Sequence, residues 1–198
     1  SDWSSDVCSS DLDHLAPWGV HVVEYDQTGA PPQDADLVIV EAPSNPLLTM
    51  PAFAAAAAHP APVVCDATLA SPLRVRPLAE GCDVALHSAT KVLAGHDDLI
   101  AGVATVADDS LYERLHLTRR LTGLVASADT AWLLERGLKT LEVRLDRMEA
   151  SARALAERLA AHSAVTTTRY PGFGFLLSFD VADDAAARRV EVATTLIE

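Results

Sequence analysis

Three short, almost wholly apolar runs set the strongest limit on the fold: DLVIVE at 36–41, PVVCD at 62–66 and DVALHS at 83–88. A strand wetted on one side alternates apolar and polar residues, and a run such as LVIV has no polar face to offer water. The runs are spaced by helix-length or Pro-containing segments, so they predict a parallel sheet covered on both faces. MPAFAAAAAH at 50–59 reads as a short connecting helix with Pro51 in its first turn. The β-branched VHVVEY at 20–25 reads as one further strand and AGVATVAD at 101–108 as another. Helix signals dominate after residue 108. DDSLYERLHLTRRLTG starts acidic and ends at Gly123, and residues 127–162 form a helix-forming stretch that Gly137 is expected to split in two. The tail VTTTRY, GFLLSFDV and DDAAARRVEVATTLIE reads as strand, strand and helix, the start of a second, smaller α+β unit.

Composition excludes several classes of function. A net charge of −13 over 198 residues leaves no basic face for nucleic acid. No apolar run is long enough to span a bilayer, so no membrane partner is expected. Cys8, Cys65 and Cys82 form neither a C-x-x-C pair nor an even disulfide framework, which favours the reducing cytoplasm. There is no G-x-G-x-x-G turn, no G-K-[ST] phosphate loop and no G-x-S-x-G elbow. The spacing of His87 and His96 with Cys65 and Cys82 matches no usual zinc set, so no metal site is expected. The two ends read differently from the rest. SDWSSDVCSSDL, residues 1–12, is rich in Ser and Asp, lacks periodicity and resembles the translation of a sequencing adapter. A polar disordered terminus is the plainer alternative. At the other end an apolar, helix-period run stops without Gly or Pro, so a fragment open at both ends is expected.

In an open parallel sheet, ligands bind beyond the carboxyl ends of the strands. Three such ends carry polar chemistry: Glu41 to Asn45, Asp66, and Ser88 to Lys91. Taken singly, Asp66 could cap the next segment and Lys91 could simply reach water. Taken together they match one set of chemical needs. A lysine can form a Schiff base with an aldehyde, and a carboxylate can hold a pyridine nitrogen protonated so that the ring accepts electrons. Hydroxyls beside the lysine, Ser88 and Thr90, can bind a phosphate. Those needs belong to one cofactor, pyridoxal 5'-phosphate.

The motifs carry a resemblance that follows the same order along the chain. S88-A-T-K91-V-L-A-G95-H96-D-D98, E41-A-P-S-N45-P, Asp66 in VVCDATLASP, RGLKTL at 136–141 and SFDV at 178–181 resemble the Cys/Met-metabolism family of pyridoxal-phosphate enzymes. That family includes cystathionine γ-synthase, cystathionine γ-lyase, methionine γ-lyase and the homoserine sulfhydrylases. The resemblance implies an α/β fold of the aspartate-aminotransferase type (fold type I), with a mostly parallel sheet in a large domain and the start of a small α+β C-terminal domain. The boundaries expected are 1–12 for the prefix, 13–140 for part of the large domain, and 141–198 for an interdomain helix and a truncated C-terminal domain.

By the same resemblance, Lys91 holds the cofactor and then shuttles protons, and Asp66 pairs with the pyridinium nitrogen. Ser88 and Thr90 bind the phosphate, and Asn45 donates to the phenolic oxygen. Glu41, His96 and Asp98 are expected to brace loops, and Gly95 to permit a tight turn past the lysine. The implied reaction is elimination or replacement at the γ-carbon of a sulfur-containing or homoserine-derived amino acid, in a homotetramer. Ala67 stands where the family has Asn, which implies the loss of one polar contact near the ring, and Val92 replaces a frequent aromatic. The family's upstream phosphate loop and ring-stacking tyrosine, and its downstream carboxylate-binding arginine, have no match here. An intact gene product would then be an enzyme, and this chain alone could be inactive. The rival reading is an inactive or cofactor-free relative that acts only as a structural or interaction protein.

Overall fold

The computed structural model describes residues 15–194, so the prefix at 1–12 and the last four residues of the apolar tail lie outside the described residues. The three apolar runs become β1 (Val38–Glu41), β2 (Val63–Asp66) and β3 (Val84–Ser88), paired side by side and all parallel. β4 (Gly102–Val106) closes the far edge antiparallel to β3, giving a four-stranded sheet in the order β1-β2-β3-β4. α1 (Phe53–Ala57) is one short helical stretch between β1 and β2; it starts two residues after Pro51, which precedes the helix rather than lying in its first turn.

Two expectations are corrected here. Residues 20–25 form no strand, and Val20, Val22 and Val23 stand 45%, 39% and 58% exposed. A β-branched run needs a neighbouring strand to satisfy its backbone. Among the described residues only β2 pairs with β1, so no neighbour takes up the run. The edge strand β1 is likewise not covered on both faces. In β1, Val38 and Val40 are each 2% exposed whereas Ile39 is 54% exposed, so one face of that strand is open.

The closed face packs Val38, Val40, Val63, Cys65 and Ala67 with Ala42, Ala56 and Ala70 in a first core. Cys65 and Cys82 are buried free thiols, and burial with their mutual contact holds the Cys65 thiol protonated. The second half is helical: α2 (Asp109–Thr122), α3 (Ala128–Leu138) and α4 (Leu141–Ala160). Asp108 and Ser127 cap the first two by accepting from Leu111 N at 2.7 Å and Thr130 N at 3.1 Å. The tail forms a hairpin of β5 (Val165–Arg169) and β6 (Ser178–Val181) and the helix α5 (Asp184–Ala193), the strand, strand and helix read from the sequence.

The long helix does divide, but the break falls at Lys139–Thr140, and Gly137 lies inside α3. Its role is close approach. A Cβ at Gly137 would lie 2.5 Å from the Ala94 carbonyl oxygen and 2.9 Å from that of Leu93. Alanine is the better helix former by about 1 kcal/mol, yet overpacking against backbone costs about 1–3 kcal/mol, so the clash wins. Gly137→Ala is therefore expected to destabilise the protein, read as a lower urea midpoint with an unchanged slope.

Candidate active site

The carboxyl ends of the parallel strands lie level with one another. Glu41 is in register with Asp66, and Asp66 with Leu86. Asp66 Oδ1 accepts from Thr68 N at 2.8 Å, and Thr68 Oγ1 accepts from Ser88 N at 2.7 Å. These two bonds tie the end of β2 to the end of β3, which fixes where Asp66 and Ser88 stand relative to each other. On the other side, Gln27 takes the place of an absent strand. Its Oε1 accepts from Glu41 N, while its Nε2 donates to the carbonyls of Glu41 and Thr49, each at 2.9 Å. Glu41 Oε2 accepts from Asn45 N at 3.2 Å, and Ser178 Oγ donates to Pro46 O at 2.7 Å. The Asn45 loop is thus held from both β1 and β6. Burial and the neighbouring Asp66 charge raise the Glu41 carboxyl above its ordinary pKa, against the Asn45 amide, which lowers it.

Directly after β3 the chain makes one wide, π-type helical turn, Ala89–Leu93, in which Ala94 N donates to Ala89 O. Ala89, Val92 and Leu93 face a second core with Leu141 and Leu145 of α4, each at most 6% exposed. Lys91 points away from that core. Its backbone leaves helical values (φ −83°, ψ −131°), its side chain is exposed, and its amine has no hydrogen-bond or ion-pair partner among the described residues. Gly95 follows in a left-handed conformation (φ +73°), as the tight turn requires.

The Ser88 hydroxyl and the Asn45 side-chain amide likewise make no hydrogen bond among the described residues. Thr90 differs: its Oγ1 accepts from Ala101 N at 3.1 Å and lies 3.4 Å from Ala101 O. It can keep the amide donor and turn its own hydrogen to another acceptor. His96 braces the loop, as expected, through Nδ1 and the Ala94 carbonyl at 2.7 Å. Asp98 is exposed and makes no such contact among the described residues.

With this geometry in view, residues 24–195 match the family model for Cys/Met metabolism PLP-dependent enzymes. The chain belongs to that family. An L-methionine γ-lyase from Brevibacterium sandarakinum is 44% identical over 70% of this chain and 36% of its own length. A cystathionine β-lyase from Lactococcus lactis is 34% identical over 79% of this chain and 46% of its own. The solved cystathionine γ-synthase from Xanthomonas oryzae pv. oryzae, in complex with aminoacrylate and cysteine, superposes with a TM-score of 0.86 at 32% identity. It covers 96% of this chain and 57% of the other. The chain thus spans less than half the length of these two curated relatives. The fold is that of the fold type I pyridoxal-phosphate enzymes, with the mostly parallel sheet expected.

The residues present suit the family's cofactor. At one end of one sheet stand an amine, a hydroxyl and an amide without partners among the described residues, and a carboxylate with one engaged oxygen. That donor set matches an aldehyde, a ring nitrogen, a phosphate and a phenolic oxygen. Two of the positions that depart from the family's pattern are buried. Ala67, one residue past β2, is fully buried in the Cys65 core, and Val92 is 3% exposed in the second core. Thr68 and Gln27 were not singled out in the sequence. Only the x-T that follows Asp66 hinted at the former, and nothing marked the latter.

His87 lies on the other face of β3 and lines a cavity of about 340 Å3 with Pro72, Val75, Arg76, Pro77 and Thr105. Its Nε2 is buried without a partner among the described residues, and burial holds its pKa below the ordinary value against a weaker upward pull from Asp66. The unfolded chain therefore takes up this proton first. Stability present at neutral pH is lost as pH falls from about 6.5 toward the lower folded value. Glu41, with a raised pKa, has the opposite sign: its burial costs stability above its folded pKa, and that cost is relieved as pH falls through it. We expect urea midpoints to drop between pH 7 and 5.5, and His87→Phe to flatten that slope.

Proposed function

We propose that the protein is a pyridoxal-phosphate-dependent enzyme acting at the γ-carbon of sulfur-containing or homoserine-derived amino acids, by elimination or replacement. The observation that carries this reading is the solitary Lys91 amine, held out from a buried turn at the strand ends that also present Asp66 and Ser88. When bound, the cofactor supplies an electron-accepting ring that stabilises negative charge at the substrate's α-carbon. Lys91 holds the cofactor by its ε-amine. When not holding the cofactor, the same amine would remove the substrate's α-proton and carry it onward. Asp66 keeps the ring nitrogen protonated. Ser88 and Thr90 donate to the phosphate, and Asn45 donates to the phenolic oxygen.

A second reading, elimination at the β-carbon, is favoured by the similarity to the lactococcal protein named a cystathionine β-lyase. The products separate the two. Cystathionine cut on the γ side gives cysteine, 2-oxobutanoate and ammonia; cut on the β side it gives homocysteine, pyruvate and ammonia. We expect the purified protein supplied with pyridoxal phosphate to be yellow and borohydride to fix the cofactor on Lys91. Incubation with cystathionine, methionine and acylated homoserine should then release 2-oxobutanoate. A colourless protein in excess cofactor would overturn the reading, and pyruvate from cystathionine would replace γ with β.

We also propose a cytoplasmic homotetramer. Exposed apolar side chains on and beside α2 and α3 (Leu117, Leu121, Leu124, Val125 and Trp132) support self-association, and buried free thiols at Cys65 and Cys82 suit a reducing compartment. No described helix is long and apolar enough to cross a membrane. Light scattering giving a monomer mass would exclude the assembly.

A further inference from the structure

Arg144 sits in the first turn of α4 and spends its whole guanidinium on the junction behind the lysine turn. Nη1 donates to Val92 O at 2.8 Å, and Nη2 donates to Leu93 O at 3.2 Å and to Gly137 O at 2.8 Å. Nε donates to Thr140 Oγ1 at 3.1 Å, and that hydroxyl in turn donates to Gly137 O at 3.2 Å. Arg74, Arg153 and Arg169 all pair with carboxylates, whereas Arg144 pairs with none among the described residues. Removing a cation from water without a counter-ion is costly unless its donors are satisfied, and here backbone carbonyls satisfy them. Burial accordingly lowers the Arg144 pKa.

Two of the three carbonyls it holds belong to the two residues that follow Lys91. The Lys91 carbonyl itself accepts from Gly95 N at 2.9 Å, so the end of the turn is closed by one glycine and one arginine. Both nearby glycines are there to allow this approach. A Cβ on Gly95 would occupy the space of the Arg144 guanidinium, and one on Gly137 would strike the Ala94 backbone. The Lys91 side chain has no polar partner among the described residues to hold it, and the backbone that carries it is set by the turn.

We infer that Arg144 is a positioning residue for Lys91, fixing the lysine turn through the Val92 and Leu93 carbonyls and coupling it to the break between α3 and α4. The inference rests on Lys91 being the cofactor lysine. Its test compares wild type with Arg144→Met, Arg144→Lys and Thr140→Val, all as cofactor-loaded protein. The readouts are the borohydride-labelled residue, the pH midpoint of the bound cofactor's absorbance, and kcat and KM. Amide hydrogen exchange of the cofactor-free protein is read as well.

In Arg144→Met the label stays on Lys91, and the absorbance midpoint moves by about half a pH unit or more. In the same variant kcat falls about 10²-fold while KM changes less than about threefold. Exchange quickens at residues 91–95 and not in β2. Arg144→Lys recovers part of the loss, because one ammonium can serve some of these carbonyls but not all. An unchanged midpoint and kcat would overturn the inference, as would exchange that quickens equally throughout the chain. If Arg144→Met does not fold, Thr140→Val removes only the hydroxyl that receives Nε and must shift the same readouts in the same direction; no shift overturns the inference. A wild-type label away from Lys91 overturns the lysine assignment itself, and this inference with it.

Discussion

Lys91→Ala will abolish turnover and leave the protein folded. The loss in kcat should be at least about 10⁴-fold, because one amine both attaches the cofactor and moves the proton, and no neighbour can replace it. The other cations near the turn are committed elsewhere: the Arg144 guanidinium is bonded to four oxygens. The cost in stability should be small, within about 0.5 kcal/mol, since the side chain is exposed and makes no polar contact among the described residues. The turn itself is held by Ala89, Val92 and Leu93 in the second core, which the substitution leaves untouched. Lys91→Arg refines the test, because it keeps the charge and cannot attach to an aldehyde at neutral pH. Both variants should show a wild-type urea midpoint and no borohydride-stable label. Turnover near that of wild type in either would remove Lys91 from the mechanism.

Asp66→Ala should lower kcat by about 10²- to 10³-fold, the usual scale for losing one preorganised electrostatic partner. Here the structural and chemical contributions need separating, because Asp66 Oδ1 also accepts from Thr68 N. Losing that bond costs about 1 kcal/mol and loosens the Thr68 tie to Ser88. Asp66→Asn keeps an acceptor for the Thr68 amide and discards only the charge. It should therefore match Asp66→Ala in kcat while retaining wild-type stability. An Asn variant with near-normal turnover would mean that Asp66 serves the loop rather than the ring. Because Glu41 stands in register beside Asp66, either substitution should also lower the Glu41 pKa by removing a neighbouring negative charge.

The parallel sheet and the polar residues at its strand ends were legible in the sequence for a physical reason. DLVIVE, PVVCD and DVALHS admit few environments other than a sheet interior, and a parallel sheet places their carboxyl ends side by side. Glu41, Asp66 and Ser88 follow from that placement without any knowledge of side-chain contacts. The helix stop at Gly123 was legible too, since it depends on residues within a few positions. VHVVEY misled because β-propensity describes a fit to a neighbour, and the described chain offers residues 20–25 none. Gly137 misled in a related way: read as a helix breaker, it is instead the point where α3 lies against Ala94.

What the sequence determined alone was therefore the chemistry, namely a lysine, a carboxylate and hydroxyls brought to one sheet end by local hydrophobic patterning. Only the tertiary structure decided how those groups are held. Thr68 joining β2 to β3, Gln27 standing in for a strand beside Glu41, and Arg144 clasping the turn behind Lys91 are contacts across 14 to 52 residues. Such bonds depend on where separate elements meet, and no local periodicity encodes that meeting point.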